Sequence, residues 1–106
     1  MTTSAVDIEI PDVESVLVTD DVLSAELSDG RTISVPLNWF PRLVHATQQE
    51  RNEWRLIGNG AGIHWEALDE DISVESLLAG RRSGESQGSF EKWLRKRESR
   101  GKGADK

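Results

Sequence analysis

The sequence predicts a small α+β domain: an antiparallel β-sheet of about five strands with two or three short helices packed on one face. Local patterns in the sequence support this class, and its hydropathy and length limit the alternatives. Two segments with strand patterns each lead into a helical apolar pattern, and tight-turn signals separate the strands. No apolar run approaches the ~20 residues that a membrane span requires. At 106 residues the chain has room for one domain and a short extension.

The first half of the chain predicts a three-stranded meander. Residues 14–18 are rich in β-branched side chains, and residues 22–27 alternate apolar and polar side chains. The dipeptide Asp29-Gly30 follows, and it is typical of a type I′ hairpin turn, which needs positive φ at both central residues. Residues 31–35 alternate again, so they are expected to return as the third strand.

A helix is expected after the meander, over residues 37–47. Pro36 ends the preceding strand, and Asn38 is a candidate N-cap. Pro41 falls in the first turn, where its missing N–H costs little. Apolar side chains recur along the segment at i, i+3 and i+4, which indicates one buried helical face.

The second half predicts another β-hairpin. Residues 54–57 and 63–66 each place two apolar side chains on one face, and the glycine-rich segment 58–62 separates them. This segment lacks the Lys-Ser/Thr of a phosphate-binding P-loop, and a strand follows it instead of a helix. We therefore interpret it as a hairpin turn.

Three acidic residues follow the hairpin, and we interpret them as a turn before a short helix. Ser73 suits the N-cap of that helix, acids near its start complement the helix dipole, and Gly80 is a natural stop. The alternative is a divalent-ion or general-acid site. The segment does not show the alternating oxygen ligands of a calcium loop. The three residues are Asp69, Glu70 and Asp71.

The predicted organisation is a compact domain over residues 1–80, a polar linker over 81–89 and a C-terminal segment over 90–106. Residues 1–12 are expected to form a loose arm. Within the C-terminal segment, Ser89 is the candidate cap of a short helix that ends near residue 97, and the remaining residues are expected to be disordered.

Charge divides the chain in the same way. Residues 1–80 carry four basic and 15 acidic residues, whereas residues 81–106 carry nine basic and four acidic residues. The acidic part disfavours nucleic-acid binding, because phosphate repels it. The basic part could bind nucleic acid, fold back on the acidic body, or only increase the solubility of the chain.

The C-terminal helix carries the candidate binding residues. Phe90, Trp93 and Leu94 lie at i, i+3 and i+4, so they form one apolar face that must be buried. This face either docks on its own chain or lies in a groove of a partner protein. The surrounding basic residues are expected to pair with acidic groups or to contact phosphate. They are Lys92, Arg95, Lys96, Arg97 and Arg100.

No pattern in the sequence predicts catalysis, so no catalytic residue, metal ligand or cofactor is expected. The chain has no cysteine, which excludes disulfides and thiol catalysis and fits a reducing cytoplasm. His45 and His64 are the only histidines, and no Gly-x-Ser-x-Gly nucleophile elbow is present. The N-terminus has neither the basic nor the apolar region of a secretory signal.

The order of these motifs resembles a bacterial family, the domain of unknown function 2442. The resemblance covers about residues 13–80. It rests on a DGR-type hairpin, a tryptophan followed by an Asp-rich turn, and a small helix with a leucine pair. These are Asp29, Gly30, Arg31, Trp65, Asp69, Asp71, Ile72, Leu77 and Leu78.

The resemblance implies a small α+β domain without an established chemistry. Its members often accompany a second small reading frame, in an arrangement like a toxin–antitoxin pair. Some members carry an added helix-turn-helix segment. This chain departs from those members, because residues 81–106 predict only one short helix.

We therefore expect a cytoplasmic, non-catalytic protein-interaction domain, with an antitoxin-like role toward a small protein encoded nearby. The alternative is a nucleic-acid-associated transcriptional regulator that uses the basic C-terminal tail. A third hypothesis, a small metal-dependent or hydrolytic enzyme, requires His45 or His64 to meet the acids at 69–71 in a pocket.

Overall fold

The computed structural model describes the backbone of residues 9–104 and the side chains of residues 9–98. It confirms the α+β class, with six strands in two three-stranded antiparallel sheets. Most of the predicted arm lies outside the described residues. The N-terminal sheet contains β1 (Val13–Val18), β2 (Val22–Leu27) and β3 (Thr32–Pro36), and the C-terminal sheet contains β4 (Trp54–Ile57), β5 (Gly62–Trp65) and β6 (Glu70–Ser73). The helices are α1 (Pro41–Val44), α2 (Gln48–Asn52), α3 (Val74–Ala79) and α4 (Gln87–Ala104).

The N-terminal sheet forms as the alternating pattern predicts. Strand β2 lies in the centre, and its apolar residues Leu23, Ala25 and Leu27 are all buried on one face. Leu23 lies opposite Val35 and Ala25 lies opposite Ile33 on β3. The cross-strand apolar pairs fix the register, because a shift of one residue would turn this face to water.

The Asp-Gly turn differs from the predicted type I′ geometry. Only Gly30 has positive φ in this turn, at 94°, and its N–H donates to the carbonyl of Leu27 at 3.0 Å. This arrangement is a type I turn followed by a glycine bulge, a common three-residue hairpin loop. The side chain of Asp29 accepts from the Arg31 N–H at 3.0 Å, which stabilises the turn without positive φ at Asp29.

The segment 37–47 does not form the single helix that its periodicity predicts. It divides into a 3-10 turn at Leu37–Trp39 and the four-residue helix α1, which begins at Pro41. Proline is tolerated at this first position, but it cannot donate the hydrogen bond that would continue the preceding turn. Asn38 lies inside the 3-10 turn and makes no capping bond.

Buried Arg51 explains why α1 ends early. Its guanidinium donates to the carbonyls of Leu43 at 2.9 Å and Val44 at 3.0 Å, and it pairs with Asp20 at 2.7 Å. The carbonyls at the end of α1 are therefore satisfied by a side chain instead of a further helical turn. The chain then starts α2 with a capping box, in which Thr47 caps the helix.

The second hairpin forms as predicted and packs closely against the start of β1. A 3-10 turn at Gly58–Gly60 joins β4 and β5. Gly60 has φ 98°, and a Cβ there would lie 2.7 Å from the Cβ of Asp12. Only glycine fits this position, so the turn is fixed against the N-terminal sheet by close backbone approach.

The acidic segment extends the second sheet, which corrects its interpretation as a turn. Glu70 and Asp71 lie in β6, which pairs with β5, and only Asp69 has the left-handed backbone of a turn, with φ 52°. The predicted helix ends are confirmed. The Ser73 hydroxyl accepts from the Ser76 N–H, and Gly80 ends α3 with φ 71°.

One core fills the space between the sheets and the short helices. Trp65 is its largest fully buried side chain, and its indole N–H donates to the Arg51 carbonyl at 3.1 Å. Trp39, Trp54 and Trp93 pack against this core while remaining partly exposed. Buried apolar residues come from both sheets, α1 and α3: they include Val13, Val18, Leu23, Leu27, Leu37, Leu43, Ile63, Leu68, Val74 and Leu77.

The C-terminal helix is longer than predicted. It begins at Gln87 instead of Phe90 and continues to Ala104, through residues whose composition predicts disorder. Ser86 is its cap, because the Ser86 hydroxyl accepts from the Ser89 N–H at 3.1 Å, and Ser89 itself lies within the first turn. Among the helices described, none combines the length and apolar composition of a membrane span.

Candidate functional site

The apolar face of α4 docks on the body of its own chain. The rings of Phe90 and Trp93 stack with centroids 5.8 Å apart, as expected for aromatic side chains three residues apart on a helix. The Phe90 ring also contacts the imidazole of His45 at the end of α1, at 5.2 Å between centroids. The helix is therefore attached to the body through an aromatic cluster.

Two guanidinium groups lie over the Trp93 indole ring. The Cζ atom of Arg42 lies 5.1 Å from the ring centroid, and that of Arg97 lies 4.8 Å from it. Such cation–π contacts contribute roughly 0.5–1 kcal/mol each at exposed sites. Trp93 therefore contacts one arginine of the body, Arg42, and one arginine of its own helix, Arg97.

Arg42 connects three parts of the molecule. Its Nε donates to both carboxylate oxygens of Glu85 at 2.9 and 3.1 Å, and Nη2 donates to the same carboxylate. Its Nη1 donates to the carbonyls of Leu68 at 2.9 Å and Asp69 at 3.1 Å. The hydrogen bonds from Arg42 lower the pKa of Glu85, and the pKa of Arg42 is raised in turn. This pair fixes the segment before α4 to α1.

A second ion pair holds the middle of α4. Arg97 donates to Glu50 through two nitrogens, at 3.1 and 2.9 Å. Glu50 also accepts from the Thr47 N–H at 2.9 Å as part of the α2 capping box. The hydrogen bonds from Arg97 lower the pKa of Glu50, because they stabilise its carboxylate form.

We call the body residues that receive α4 the helix seat: Arg42, His45 and Glu50. They lie on or directly after α1 and on α2, so the interruption of the predicted helix at 37–47 is what brings them to one surface. No sequence pattern indicates this surface. Arg42 is one charged residue within an apolar helical pattern, and its partner Glu85 lies in a segment whose composition predicts only a linker.

The predicted binding residues divide into two sets. Phe90, Trp93 and Leu94 are partly buried, and the first two contact the body as described above. Of the basic residues, Arg97 is engaged with Glu50 and the Trp93 ring. The Arg100 side chain lies outside the described residues, and the remaining three are exposed on the surface of α4: Lys92, Arg95 and Lys96.

A small cleft runs beside the docked helix. It has a volume of about 210 Å³ and lies between the loop after β5 and α4. Acidic side chains line one side and basic side chains line the other, with Trp93 between them. The lining residues are Glu66, Ala67, Asp69, Trp93, Lys96 and Arg97.

His64 meets one of the three predicted acids, on the outer face of the C-terminal sheet. It lies opposite Asp71 in the register, and its Nδ1 shares a hydrogen bond with that carboxylate. Its Nε2 lies 3.0 Å from Glu66, which also pairs with Arg55 at 3.3 Å. The hydrogen bond with Asp71 raises the pKa of His64. Both ring nitrogens are thus occupied by carboxylates across the strands.

His45 lies elsewhere, beneath Phe90, so the two histidines do not converge. Among the residues that the structure describes, no group of three His, Cys, Asp or Glu side chains could hold a metal ion.

The three consecutive acids occupy three different environments. Asp69 is exposed in a left-handed turn, and Asp71 faces outward to His64. Glu70 lies on the opposite face of β6 and is partly buried, and this burial raises its pKa to about 7. Glu70 and Asp71 point to opposite faces of the sheet because side chains alternate along a strand. Interpretation of the three acids as a single turn does not predict this difference.

Comparisons with known proteins agree with the fold. The family described as "Protein of unknown function (DUF2442)" matches residues 13–83, so the match stops before α4. A crystal structure of a protein of unknown function from Rhodospirillum rubrum is similar with a TM-score of 0.63 and 25% identity, over 73% of this chain and 95% of that chain. A solution structure of an uncharacterized protein from Chromobacterium violaceum has a TM-score of 0.60 and 27% identity, over 69% of each chain. No curated protein matches the chain significantly.

Proposed function

We propose that this chain, which belongs to the DUF2442 family, is a non-catalytic protein-interaction domain that binds a small protein partner through α4. In the free chain α4 occupies the helix seat. In the complex Phe90, Trp93 and Leu94 close on an apolar groove of the partner. The partner is masked sterically, so no chemical step is involved.

The observation that carries this proposal is how α4 is held. Its aromatic side chains remain partly exposed, and its described contacts with the body are two ion pairs, the stacking of Arg42 on Trp93 and the contact of Phe90 with His45. An exchangeable helix needs such an attachment, because the desolvation of two charges offsets much of their attraction in an intact ion pair, and cation–π contacts contribute only modestly to stability. A helix buried as part of the core could not leave without unfolding the domain.

The chemistry of the helix seat indicates the chemistry of the partner. In the free chain Glu50 supplies a carboxylate to Arg97, and Arg42 supplies a flat guanidinium surface to Trp93. A partner that replaces the seat must offer an apolar groove with an acidic rim. The family resemblance suggests that this partner is encoded beside the chain, as in a toxin–antitoxin pair in the cytoplasm.

Co-expression tests this proposal directly. The full chain is tagged and produced with the product of the adjacent reading frame, and the complex is purified at low and at high salt. We expect a stoichiometric complex that resists salt and is lost on Trp93→Ala. The matched control is Lys92→Ala, an exposed position on the same helix, which should leave the complex intact.

Two results would contradict the proposal. Either the chain purifies without that protein, or Trp93→Ala binds it as well as the original chain does. Circular dichroism of both variants excludes loss of the fold as the cause.

The second candidate function is nucleic-acid binding through α4. The observation in its favour is that Lys92, Arg95 and Lys96 are exposed and form no ion pair with any described residue. Three phosphate contacts predict that log K falls with log salt with a slope of about −2.7 for duplex DNA. Fluorescence anisotropy with a labelled duplex at several salt concentrations measures this slope, and a slope near zero would exclude the candidate.

A further inference from the structure

Glu70 is a partly buried carboxylic acid that directly follows Asp69, whose backbone carbonyl accepts a hydrogen bond from Arg42 at 3.1 Å. Side chains alternate along β6, so Glu70 shares the inner face with buried Ile72, whereas Asp71 points outward. It lies opposite the fully buried Trp65 on β5. The side chain is partly buried as a result, and no local sequence pattern requires an acid at this position.

The charged groups around Glu70 do not compensate for its burial. Arg42 on α1 lowers the pKa, whereas Glu85 before α4 and the neighbours Asp69 and Asp71 raise it. Arg42 directs its described hydrogen bonds to Glu85 and to two backbone carbonyls. Burial is the largest cause of the shift, and it brings the pKa of Glu70 to about 7.

We propose that ionisation of Glu70 weakens the docking of α4 by competing with Glu85 for Arg42. The inference rests on the proposed function and adds its regulation: the chain is closed when Glu70 is neutral and opens for its partner as Glu70 becomes charged. One guanidinium then faces two carboxylates in a partly buried site. If it turns to Glu70, Glu85 loses its main partner.

Loss of the Arg42–Glu85 pair weakens the attachment of α4, because Glu85 is connected to the start of this helix. Glu85 lies two residues before α4, and it also accepts from the Ser89 hydroxyl at 2.9 Å in the first turn. A Cβ added at Gly84 would meet no described atom within 4 Å, so this glycine lies in open space and provides a point about which the segment can turn. Because Arg42 also lies over Trp93, its movement removes a second contact of the helix.

The sign of the pH effect follows from the raised pKa. When α4 leaves, Glu85 moves away and Arg42 is free to pair with Glu70, and both changes lower the pKa of that carboxyl. Docking is therefore strongest at low pH, weakens as the pH rises toward about 7 and then levels off. The docking constant falls by at most about tenfold per pH unit in this range. The pKa values of Glu50 and Glu85 are lowered, so both pairs remain ionised at pH 5.

Native-state hydrogen exchange of the full chain tests the proposal. The protection factors of the α4 amides over residues 91–97 are measured at pH 5 and pH 8, after correction for intrinsic exchange rates. We expect protection more than about twofold lower at pH 8. The variant Glu70→Gln should show equal protection at both pH values, within about twofold, whereas the exposed control Glu75→Gln should retain the full decrease.

Two outcomes would overturn the proposal. The first is equal protection of α4 at both pH values in the original chain. The second is an undiminished decrease in Glu70→Gln, which would show that a group other than Glu70 causes the effect. If the partner complex still depends on Trp93 in either case, the proposed function stands and only its regulation by Glu70 fails.

Discussion

Replacement of Arg42 by alanine should destabilise the protein far more than removal of an ordinary surface arginine. The side chains of Arg42 and Glu85 are only 15% and 10% exposed. Removing one partner of a buried pair costs about 3–5 kcal/mol, because the other charge is left without compensation. Here Glu85 lies in a connecting segment that can turn to water, so the lower end of this range applies.

Two further losses accompany the substitution. The carbonyls of Leu68 and Asp69 lose their donor, and Trp93 loses one of its two cations. The cation–π contact contributes about 0.5–1 kcal/mol. Because water replaces Arg42 at the carbonyls, we expect the free energy of unfolding to fall by about 3.5–4 kcal/mol in total.

Urea unfolding followed by circular dichroism measures this loss. The control is Arg31→Ala, which breaks the Arg31–Asp29 pair, where the side chains are 59% and 39% exposed. That pair is largely exposed and screened by water, so its loss should change stability far less than the loss of Arg42. If Arg42→Ala lowers stability by no more than Arg31→Ala does, Arg42 is not the connection between the body and α4, and the account of docking is wrong.

Three other predictions concern stability. Gly60→Ala should lower the free energy of unfolding by about 2 kcal/mol in a thermal unfolding experiment. Gly60 has φ 98°, and a Cβ there would lie 2.7 Å from the Cβ of Asp12. The control Gly84→Ala should be nearly neutral, because a Cβ there meets no described atom within 4 Å. Ser73→Ala should cost about 1 kcal/mol in urea unfolding through loss of the α3 cap, and an unchanged midpoint would contradict that role. As the pH rises from 5 to 8, Glu70→Gln should become more stable relative to the original chain, by at most about 3 kcal/mol. The reason is that the original carboxyl must lose its proton while it is buried. Equal pH profiles of stability for the two proteins would refute this prediction.

The local patterns of the sequence predict those elements whose causes are local. The alternation of Leu23, Ala25 and Leu27 places one face of β2 in the core, because the two-residue period acts within the strand itself. Ser73 and Gly80 mark both ends of α3, because capping needs only neighbouring backbone groups.

Other features depend on residues distant in the chain, so periodicity could not predict them. The apolar stripe over 37–47 predicts one helix, but Arg51 supplies the donors that end α1. Arg42 and Glu85 are separated by 43 positions, and neither lies in a motif. The helix seat exists only because these long-range contacts form.

The three acids show how strand register decides chemistry. A sequence run of Asp69, Glu70 and Asp71 looks uniform, yet pairing of β6 with β5 directs the last two to opposite faces. The sequence suggests a turn because acids are common before helices, and it contains no sign that residues 70–73 pair as a strand. The raised pKa of Glu70 is therefore a consequence of tertiary structure alone.

The most direct test of an exchangeable C-terminal helix compares α4 with the core in one hydrogen-exchange experiment on the full chain. We predict that amides over residues 91–97 open together, at a free energy clearly below that of the β5 amides of Ile63 and Trp65. If α4 and β5 instead exchange with the same opening free energy, α4 is part of the cooperative fold, and it cannot leave the helix seat for a partner.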